Sequence, residues 1–514
     1  SGLGRPSLPP SAASPWPLAR RVPQAMEEPE PKPRRKWFGE LLEPKLGLGL
    51  EKWRSAVLAS DGRIYAPPCC ASQVLRVDAG SSSVELIGPD FGPAADKWRA
   101  AVLGKDGGIW CVPSAAEQVL RIDPESGSAA LVGPNLGREP AKWRAHVQLA
   151  DGCIYCVPWG ASRVLRVDTA GGVVELIGPE VGPLGGCKWK AAVAGTGGVI
   201  YCPPCDAAKV LCIDPSKFSI ELIGPDFGRE KAKWWTAALG ADGKIVSPPW
   251  RASKVLAIDS ASATVTTIGP EFDEEGCKWR AMAMGGDGCF YCPPATASRV
   301  LRIDAAAQEV AEIGPDLCYG GFKYSMAFRC SDGNVYCPPW TATMVLRIDV
   351  EKKWAMVQKP DFGPGGGKWK VVLNFKGKEE GEFFCVPWNA TQMLHLRNDD
   401  EEGVFTELLN PDLGYRPRDK WLAAVQAPNE QLICIPSGSL QVLRINFVDP
   451  AGSSRQTSRP SSRGTPKSTP ASGGQSRAEA AEAPAALDAL AEASEEFPPA
   501  PDGDKGAGSP DGDD

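Results

Sequence analysis

Histidine is almost absent from this chain, which has only two among 514 residues. The two, His146 and His395, stand in different parts of the sequence, and no G-x-S-x-G, H-E-x-x-H or glycine-rich phosphate-binding motif accompanies them. The chain therefore lacks the usual residues of a hydrolytic catalytic triad and of a histidine metal site. We interpret both histidines as substituted packing or surface residues. The sequence predicts no catalytic residue, no metal site and no cofactor.

Long apolar runs are missing as well, and no segment keeps a helical period. Without a stretch of about 18 apolar residues, no membrane span is expected. The formal net charge is −7, but 12 acidic and only 6 basic residues lie from Asp449 onward. The rest of the chain is thus close to neutral, and we expect no nucleic-acid partner.

Both ends of the chain differ in composition from its middle. Residues 1–36 are rich in Pro, Ser, Ala and Arg, a composition typical of disordered leaders and also of organelle transit peptides. Residues 448–514 consist mainly of Ser, Pro, Gly, Ala and acidic residues. We expect two disordered ends around a folded region at 37–447, and a cytoplasmic protein, with organelle targeting left open.

A Lys-Trp pair recurs along the folded region and marks a sequence repeat. The spacing is 45 or 46 residues except for a last step of 52, which is typical of an array of supersecondary units. The aromatic residues of the nine copies are Trp53, Trp98, Trp143, Trp189, Trp234, Trp279, Tyr324, Trp369 and Trp421.

Each copy contains four short strand-like pieces, as in "KWRAAVL", "GIYCPP", "VLRID" and "VELIGP". Asp-Gly pairs such as Asp61-Gly62 separate the first two pieces and favour a tight hairpin. Prolines end the second piece because they cannot donate to a β-ladder. Four strands in about 45 residues predict the blade of an all-β propeller. We expect the repeated aromatics to fill the space between blades.

The two ends of the array predict that the ring closes. The last copy stops after its third strand, "QVLRINF" at 441–447, whereas "GELLEPKLGLGLEKW" at 39–53 supplies a spare fourth strand ahead of the first copy. The N-terminal strand should therefore complete the last blade and leave no open edge. The count is nine blades, with an eight-bladed ring and an irregular final repeat as the alternative.

The motifs "DG-x-IY" and "VLRID" resemble the repeats of NHL- and kelch-like propellers. The resemblance covers 38–447, although the double glycine of kelch repeats and the Trp-Asp of WD40 repeats are missing. It implies the propeller fold and a frequent role in binding, and it brings no catalytic residue to this chain.

The 17 cysteines amount to about 3% of the chain, far below a disulfide scaffold. Small residues replace the cysteine of the second strand in some copies, which indicates packing. Of three C-x-x-C spacings, Cys202/Cys205 is the one compatible with a redox pair or half a zinc site, but no second half is present. The recurring second-strand cysteines are Cys111, Cys156, Cys202, Cys292, Cys337, Cys385 and Cys434.

The candidate ligand-binding residues lie in two sets of loops that should share one face of the ring. Each repeated aromatic follows a lysine, and the loop after the second strand carries a tryptophan in four copies. Exposed loop tryptophans and lysines would form an electropositive funnel for an anion. Alternatively, each lysine pairs with the acid of the preceding "GPD" loop, such as Asp90, Asp226 or Asp361. The candidates are Lys52, Lys97, Lys142, Lys188, Lys233, Lys278, Lys323, Lys368, Lys420, Trp159, Trp250, Trp340 and Trp388.

We therefore predict a monomeric, non-catalytic interaction platform that binds a protein, an acidic peptide or another anion. Two alternatives are a propeller enzyme of the lactonase or quinoprotein-like type and a carbohydrate-binding propeller whose loop tryptophans stack on sugars.

Overall fold

The fold is a ring of nine four-stranded β-sheets, eight of which have their strands in sequential antiparallel order. The computed structural model describes residues 35–273, 276–318, 320–376, 381–399, 403–409, 411–414 and 418–448. The expected leader and tail, 1–36 and 448–514, lie almost wholly outside these ranges. Within them, no helix is long and apolar enough to span a bilayer.

The first four blades follow one another along the chain. Blade 1 contains β2 (Val57–Leu58), β3 (Ile64–Ala66), β4 (Val74–Asp78) and β5 (Ser83–Ile87). Blade 2 contains β6 (Trp98–Leu103), β7 (Ile109–Pro113), β8 (Val119–Asp123) and β9 (Ser128–Val132). Blade 3 contains β10 (Trp143–Gln148), β11 (Cys153–Pro158), β12 (Val164–Asp168) and β13 (Val173–Ile177). Blade 4 contains β14 (Val193–Ala194), a 3-10 turn (Thr196–Gly198), β15 (Ile200–Cys202), β16 (Val210–Asp214) and β17 (Ser219–Ile223).

The next four blades repeat this order. Blade 5 contains β18 (Ala238–Leu239), β19 (Lys244–Ser247), β20 (Val255–Asp259) and β21 (Thr264–Ile268). Blade 6 contains β22 (Ala283–Met284), β23 (Phe290–Cys292), β24 (Val300–Asp304) and β25 (Glu309–Ile313). Blade 7 contains β26 (Phe328–Arg329), β27 (Val335–Cys337), β28 (Val345–Asp349) and β29 (Trp354–Gln358). Blade 8 contains β30 (Trp369–Phe375), β31 (Glu382–Pro387), β32 (Met393–Asp399) and β33 (Gly403–Leu409).

Blade 9 is built from both ends of the folded region, as the sequence predicts. Its strands are β34 (Trp421–Gln426), β35 (Leu432–Pro436), β36 (Val442–Val448) and β1 (Lys36–Leu42), and β1 pairs with β36. Arg444 donates to Glu40 Oε2 at 2.7 Å across this pair, and the Leu46 amide donates to the Leu440 carbonyl at 2.7 Å. The nine-bladed count is thus correct and the eight-bladed alternative is wrong.

The repeated aromatics lie between adjacent blades, which confirms their predicted role. Trp143 of blade 3, for example, packs with Trp110 and Val112 of blade 2. Its indole Nε1 donates to the Arg163 carbonyl at 3.0 Å, so its only polar group is satisfied in the core. The other copies repeat this bond to a carbonyl on the loop that follows the second strand.

The second-strand cysteines are fully buried, each at 0% exposure. All 17 cysteines of the chain are free thiols. Burial raises the pKa of thiols such as Cys111 and Cys434 above the ordinary range, so they stay neutral and act as small apolar groups. The packing interpretation of these residues is confirmed.

Ring closure depends on Trp37, and this can be tested. Trp37 on β1 is 5% exposed and contacts Phe375 and Phe384 of blade 8 with ring centroids 5.0 and 4.8 Å away, whereas its neighbour Phe38 is 39% exposed. Trp37→Ala should lower the free energy of unfolding by about 3–5 kcal/mol, because it opens a cavity under the closing strand. Phe38→Ala should change it by less than about 0.5 kcal/mol. Denaturant unfolding of both variants measures the difference, and equal values would show that β1 does not hold the ring closed.

Candidate functional site

In every blade the pairing of the first two strands shifts by one residue after the repeated aromatic, directly after it in blades 2, 3, 8 and 9 and within the next three residues in the other five. In blade 2, Trp98 pairs with Pro113 and Ala100 with Val112, so Arg99 has no place in the ladder. Blade 1 shows the same shift, because Trp53 bridges Pro68 while Val57 pairs with Tyr65. Such a β-bulge turns a side chain out of the ladder. The nine bulge residues are Arg54, Arg99, Arg144, Lys190, Trp235, Arg280, Ser325, Lys370 and Leu422.

The six cations of this set converge near the axis of the ring, at the end that we call its mouth. Burial holds the pKa of Lys370 well below its ordinary value, and the charges of Arg54 and Arg280 lower it further. Lys370 belongs to blade 8, whereas Arg54 and Arg280 belong to blades 1 and 6. Burial, with repulsion from Arg99 and Arg54, likewise lowers the pKa of Arg144 to about 10. Cations that act on each other across an intervening blade must lie near the ring axis.

Tryptophans from separate blades meet at the same mouth. The ring centroids of Trp159 and Trp235 are 6.1 Å apart, those of Trp235 and Trp250 are 5.7 Å apart, and those of Trp250 and Phe322 are 6.0 Å apart. On the other side, Trp340 and Trp388 are 6.4 Å apart. The four loop tryptophans predicted from the sequence therefore come together in two groups.

The expectation that these loop tryptophans are exposed is wrong. Trp159, Trp250, Trp340 and Trp388 are only 4–9% exposed. Small residues at the same loop position in other blades explain their burial. Trp250 packs on Ala295 of blade 6, and contacts such as this let large rings reach across the mouth instead of pointing to solvent.

The cations lie over the faces of these rings. Arg144 Cζ is 5.1 Å from the Trp159 centroid, and Lys190 Nζ is 4.9 Å from Trp159 and 5.3 Å from Trp235. Lys370 Nζ is 3.4 Å from the Trp388 centroid. These are cation–π distances, so each cation and its indole fix one another. We name as the mouth cluster Arg144, Lys190, Arg280, Lys370, Trp159, Trp235, Trp250, Trp340 and Trp388.

Acidic residues directly before the repeated lysine belong to one sector of the ring. The residue before the repeated lysine is Glu51, Asp96 or Asp419 in blades 1, 2 and 9, which are consecutive around the ring. Glu51 pairs with Arg54, and Asp96 pairs with Arg99. In blades 3 to 8 the same position holds uncharged residues, so the charge of the mouth is uneven. Those residues are Ala141, Cys187, Ala232, Cys277, Phe322 and Gly367.

The nine lysines predicted as ligand-binding residues hold the loops together. Lys142 is 2% exposed, and its ammonium donates to the carbonyls of Ala116 at 2.9 Å, Gly137 at 3.0 Å and Glu139 at 3.2 Å. Two of these carbonyls belong to its own loop and one to the preceding blade. Other lysines repeat parts of this pattern.

The alternative expectation, that each lysine bonds the acid of its preceding loop, is wrong, because the lysines bond loop carbonyls. Asp90 Oδ1 instead accepts the Gly92 amide at 2.7 Å, and Asp226 and Asp361 accept equivalent amides at 2.8 and 2.7 Å. The Asp carboxylate therefore orders the loop by accepting from the loop amides, and the Lys ammonium orders it by donating to the loop carbonyls. Ligand binding by these lysines stays a prediction, and their placement directs attention to the bulge residues instead.

The backbone of each lysine also joins consecutive blades. The Lys97 amide donates to the Cys69 carbonyl of blade 1 at 3.0 Å, while the Lys97 carbonyl accepts the Ser114 amide of its own blade at 2.8 Å. All nine lysines make both bonds, including Lys52, which donates to Ser437 of blade 9 at 3.2 Å and closes the circle.

His395 is a buried packing residue, as expected. It is 0% exposed, stacks on Phe384 with centroids 4.5 Å apart, and has Nδ1 2.9 Å from Glu407 Oε1. His146 is half-buried on β10, opposite Cys156.

Two cysteines of the C-x-x-C spacings accept hydrogen bonds from arginines, since Cys153 Sγ is 3.1 Å from Arg166 and Cys289 Sγ is 2.8 Å from Arg302.

A group of possible metal ligands that sequence reasoning missed lies in blade 1. Glu51, Cys69 and Cys70 have ligand atoms all within 4.8 Å of one another. The consecutive cysteines were visible in the sequence, but Glu51 belongs to a different loop. Only the fold brings the carboxylate to the thiols.

Comparison with protein-family models finds no match, and comparison with curated protein sequences finds none either. Among solved structures, the chain is similar to a streptogramin B lyase (9% identity, TM-score 0.40, covering 80% of this chain and 98% of that one). It is also similar to virginiamycin B lyase from Staphylococcus aureus (10% identity, TM-score 0.39, 60% and 95% covered). A third similar structure is U3-55K (11% identity, TM-score 0.38, 68% and 98% covered). At these values, no activity follows from the likeness.

The role of the lysines in the loops can be tested at Lys142. Lys142→Met keeps the apolar stem but leaves three partly buried carbonyls without their donor, so the free energy of unfolding should fall by about 1–3 kcal/mol. Lys105→Met, at an exposed hairpin turn, is the matched control and should change it by less than about 0.5 kcal/mol. Urea unfolding followed by tryptophan fluorescence measures both, and a Lys142→Met variant as stable as the control would contradict the role.

Proposed function

We propose that this propeller is a non-catalytic interaction platform whose mouth binds an acidic segment of a partner protein. The observation that carries the proposal is the convergence of six bulge cations from six different blades, among which Lys370 and Arg144 have a pKa lowered by burial and by neighbouring cations. The bulge position takes no part in the ladder, so the fold does not require a cation there. Trp235, Ser325 and Leu422 occupy it in the other three blades.

Like charges gathered in a partly buried site repel one another, and an anion placed among them relieves that repulsion. Burial and neighbouring cations both depress the pKa of Lys370 and Arg144, and a carboxylate ligand would raise it. Water-poor walls also strengthen the attraction relative to an open surface. The acids of blades 1, 2 and 9 offset part of the charge on their own side, so the side of blades 3 to 8 is the more attractive for an anion.

The tryptophans favour a preorganised site. Each cation of the mouth cluster is held against an indole face, which limits its rotamers before a ligand arrives. Binding then loses less side-chain entropy. Because the cations of the mouth cluster come from four blades, a ligand with several carboxylates fits better than a single small anion. An acidic peptide segment has that property.

The carbohydrate alternative is less favoured. Stacking on a sugar needs an open indole face, but the four loop tryptophans are buried against each other and against cations. The enzyme alternative has no supporting contact within the described ranges. The expected monomeric state and cytoplasmic location stay predictions.

Removing mouth cations should weaken peptide binding. With a fluorescent oligoglutamate peptide as the probe, Lys190→Gln and Lys370→Gln should each raise Kd about tenfold, which corresponds to 1.4 kcal/mol. Binding to the unmodified protein should weaken as salt is added. Arg138→Gln, which removes a cation whose side chain is 86% exposed and pairs with Glu117, is the control and should leave Kd unchanged. If all three variants bind alike, or if a neutral oligosaccharide binds in place of the peptide, the proposal fails.

Peptide binding should also take up protons. Because the free protein holds the pKa of Lys370 well below 10.5, part of this group is neutral at alkaline pH, and the bound carboxylates favour its charged form. Affinity should therefore fall as pH rises through the pKa of Lys370. Calorimetry in buffers of different ionisation enthalpy measures the uptake. Lys370→Gln should reduce it, and unchanged uptake in that variant would assign the proton to another group.

A further inference from the structure

Glu51, Cys69 and Cys70 come from two loops that are bonded to each other through the backbone. Glu51 precedes Lys52 at the start of blade 1, and the two cysteines follow β3. The Cys69 amide donates to the Lys52 carbonyl at 2.9 Å, and the Cys70 amide donates to the Glu51 carbonyl at 3.1 Å. These bonds fix the relative position of the carboxylate and the thiols without any ligand.

The donor set has the chemistry of a site for a thiophilic divalent cation. Two sulfurs and one carboxylate, with ligand atoms within 4.8 Å of one another, match the ligands that zinc takes in proteins. Arg54 holds Glu51 Oε1, but a carboxylate has a second oxygen to offer. Cys70 and Glu51 are half-buried whereas Cys69 is fully buried, so an ion can enter from the mouth side.

A further carboxylate lies beside the two thiols and the carboxylate of Glu51, which suits a cation. Asp96 Oδ1 lies 3.8 Å from Cys69 Sγ and adds negative charge beside the site. Metal binding should release the thiol protons.

Blade 4 provides an internal comparison. At the same three loop positions it has Cys187, Cys205 and Asp206, which is again two thiols and one carboxylate. There, however, Asp206 Oδ1 accepts the Ala232 amide of the next blade at 2.7 Å. Among the residues that the structure describes, only the blade 1 set brings three such donors within 4.8 Å.

We propose that Glu51, Cys69 and Cys70 bind one thiophilic divalent cation of the zinc class, with water completing a tetrahedron. The site uses none of the residues of the mouth cluster, although its ligand Glu51 pairs with Arg54, one of the six bulge cations.

Cadmium, a spectroscopic substitute for zinc, tests the proposal in the full chain. The protein is reduced with a phosphine, freed of metal and titrated with Cd²⁺ while thiolate-to-metal charge-transfer absorption is recorded. We expect Cd²⁺ to bind tightly at one site per chain, and we expect Zn²⁺ to displace it from that site. Cys70→Ser should abolish the absorption, and Glu51→Gln should weaken binding at least on the order of tenfold, since even outer-shell changes cost that much.

Two controls keep the experiment decisive. Cys187→Ser with Cys205→Ser removes the thiols of blade 4, and Cys318→Ser removes an exposed thiol; both variants should keep the tight site. Cys70 is partly exposed, so its replacement is expected to leave the fold intact, as circular dichroism will show. X-ray absorption of the zinc form should show two sulfur ligands. An unchanged titration in Cys70→Ser, or equal loss in the blade 4 variant, would overturn the site.

Discussion

The lysine before each repeated aromatic connects every blade to the next. Its amide donates to the loop of the preceding blade, its carbonyl accepts from the loop of its own blade, and its ammonium binds carbonyls, which in several blades come from both loops. Loops at the narrow end of a propeller expose carbonyls that water cannot easily reach, and buried carbonyls must be satisfied. One long side chain with three donors solves this problem nine times. The lysines therefore stabilise the ring itself by joining its blades.

The β-bulge follows from the same arrangement. Because the lysine backbone is bonded on both sides, the chain enters the first strand in a fixed direction, and the residue after the aromatic is left outside the ladder. That residue varies in type, from arginine to leucine, while the one-residue shift is the same in every blade. A position that is geometrically fixed but chemically unconstrained suits a binding function. In this molecule six of the nine such positions hold a cation.

The sequence predicts much of the architecture because its signals are local. The 45-residue period, the Asp-Gly turns and the spare strand ahead of the first copy each depend on a few neighbouring residues, and the structure has all three, with the strand at Lys36–Leu42. The partner of the lysines was not predictable, because an acid is visible in a sequence whereas a loop carbonyl is not. The burial of Trp250 depends on Ala295 in the next blade, and the approach of Glu51 to Cys69 depends on a backbone bond between two loops. Such contacts have no local signature.

The uneven charge of the mouth is related to how the ring closes. The noncovalent seam of the ring lies within blade 9, where β36 pairs with β1, and β1 continues along the chain into blade 1. Repulsion among cations near this seam would favour an open ring. The three mouth acids, Glu51, Asp96 and Asp419, lie in blades 1, 2 and 9, and Glu51 and Asp96 pair with the two arginines nearest the seam. Blade 9 itself has Leu422 at its bulge instead of a cation. Charge is thus neutralised next to the noncovalent seam and concentrated at blades that are each built from one continuous segment of chain. A binding site of like charges can exist on this ring because the repulsion acts mainly on blades 3 to 8, and each of these is built from one continuous segment of chain.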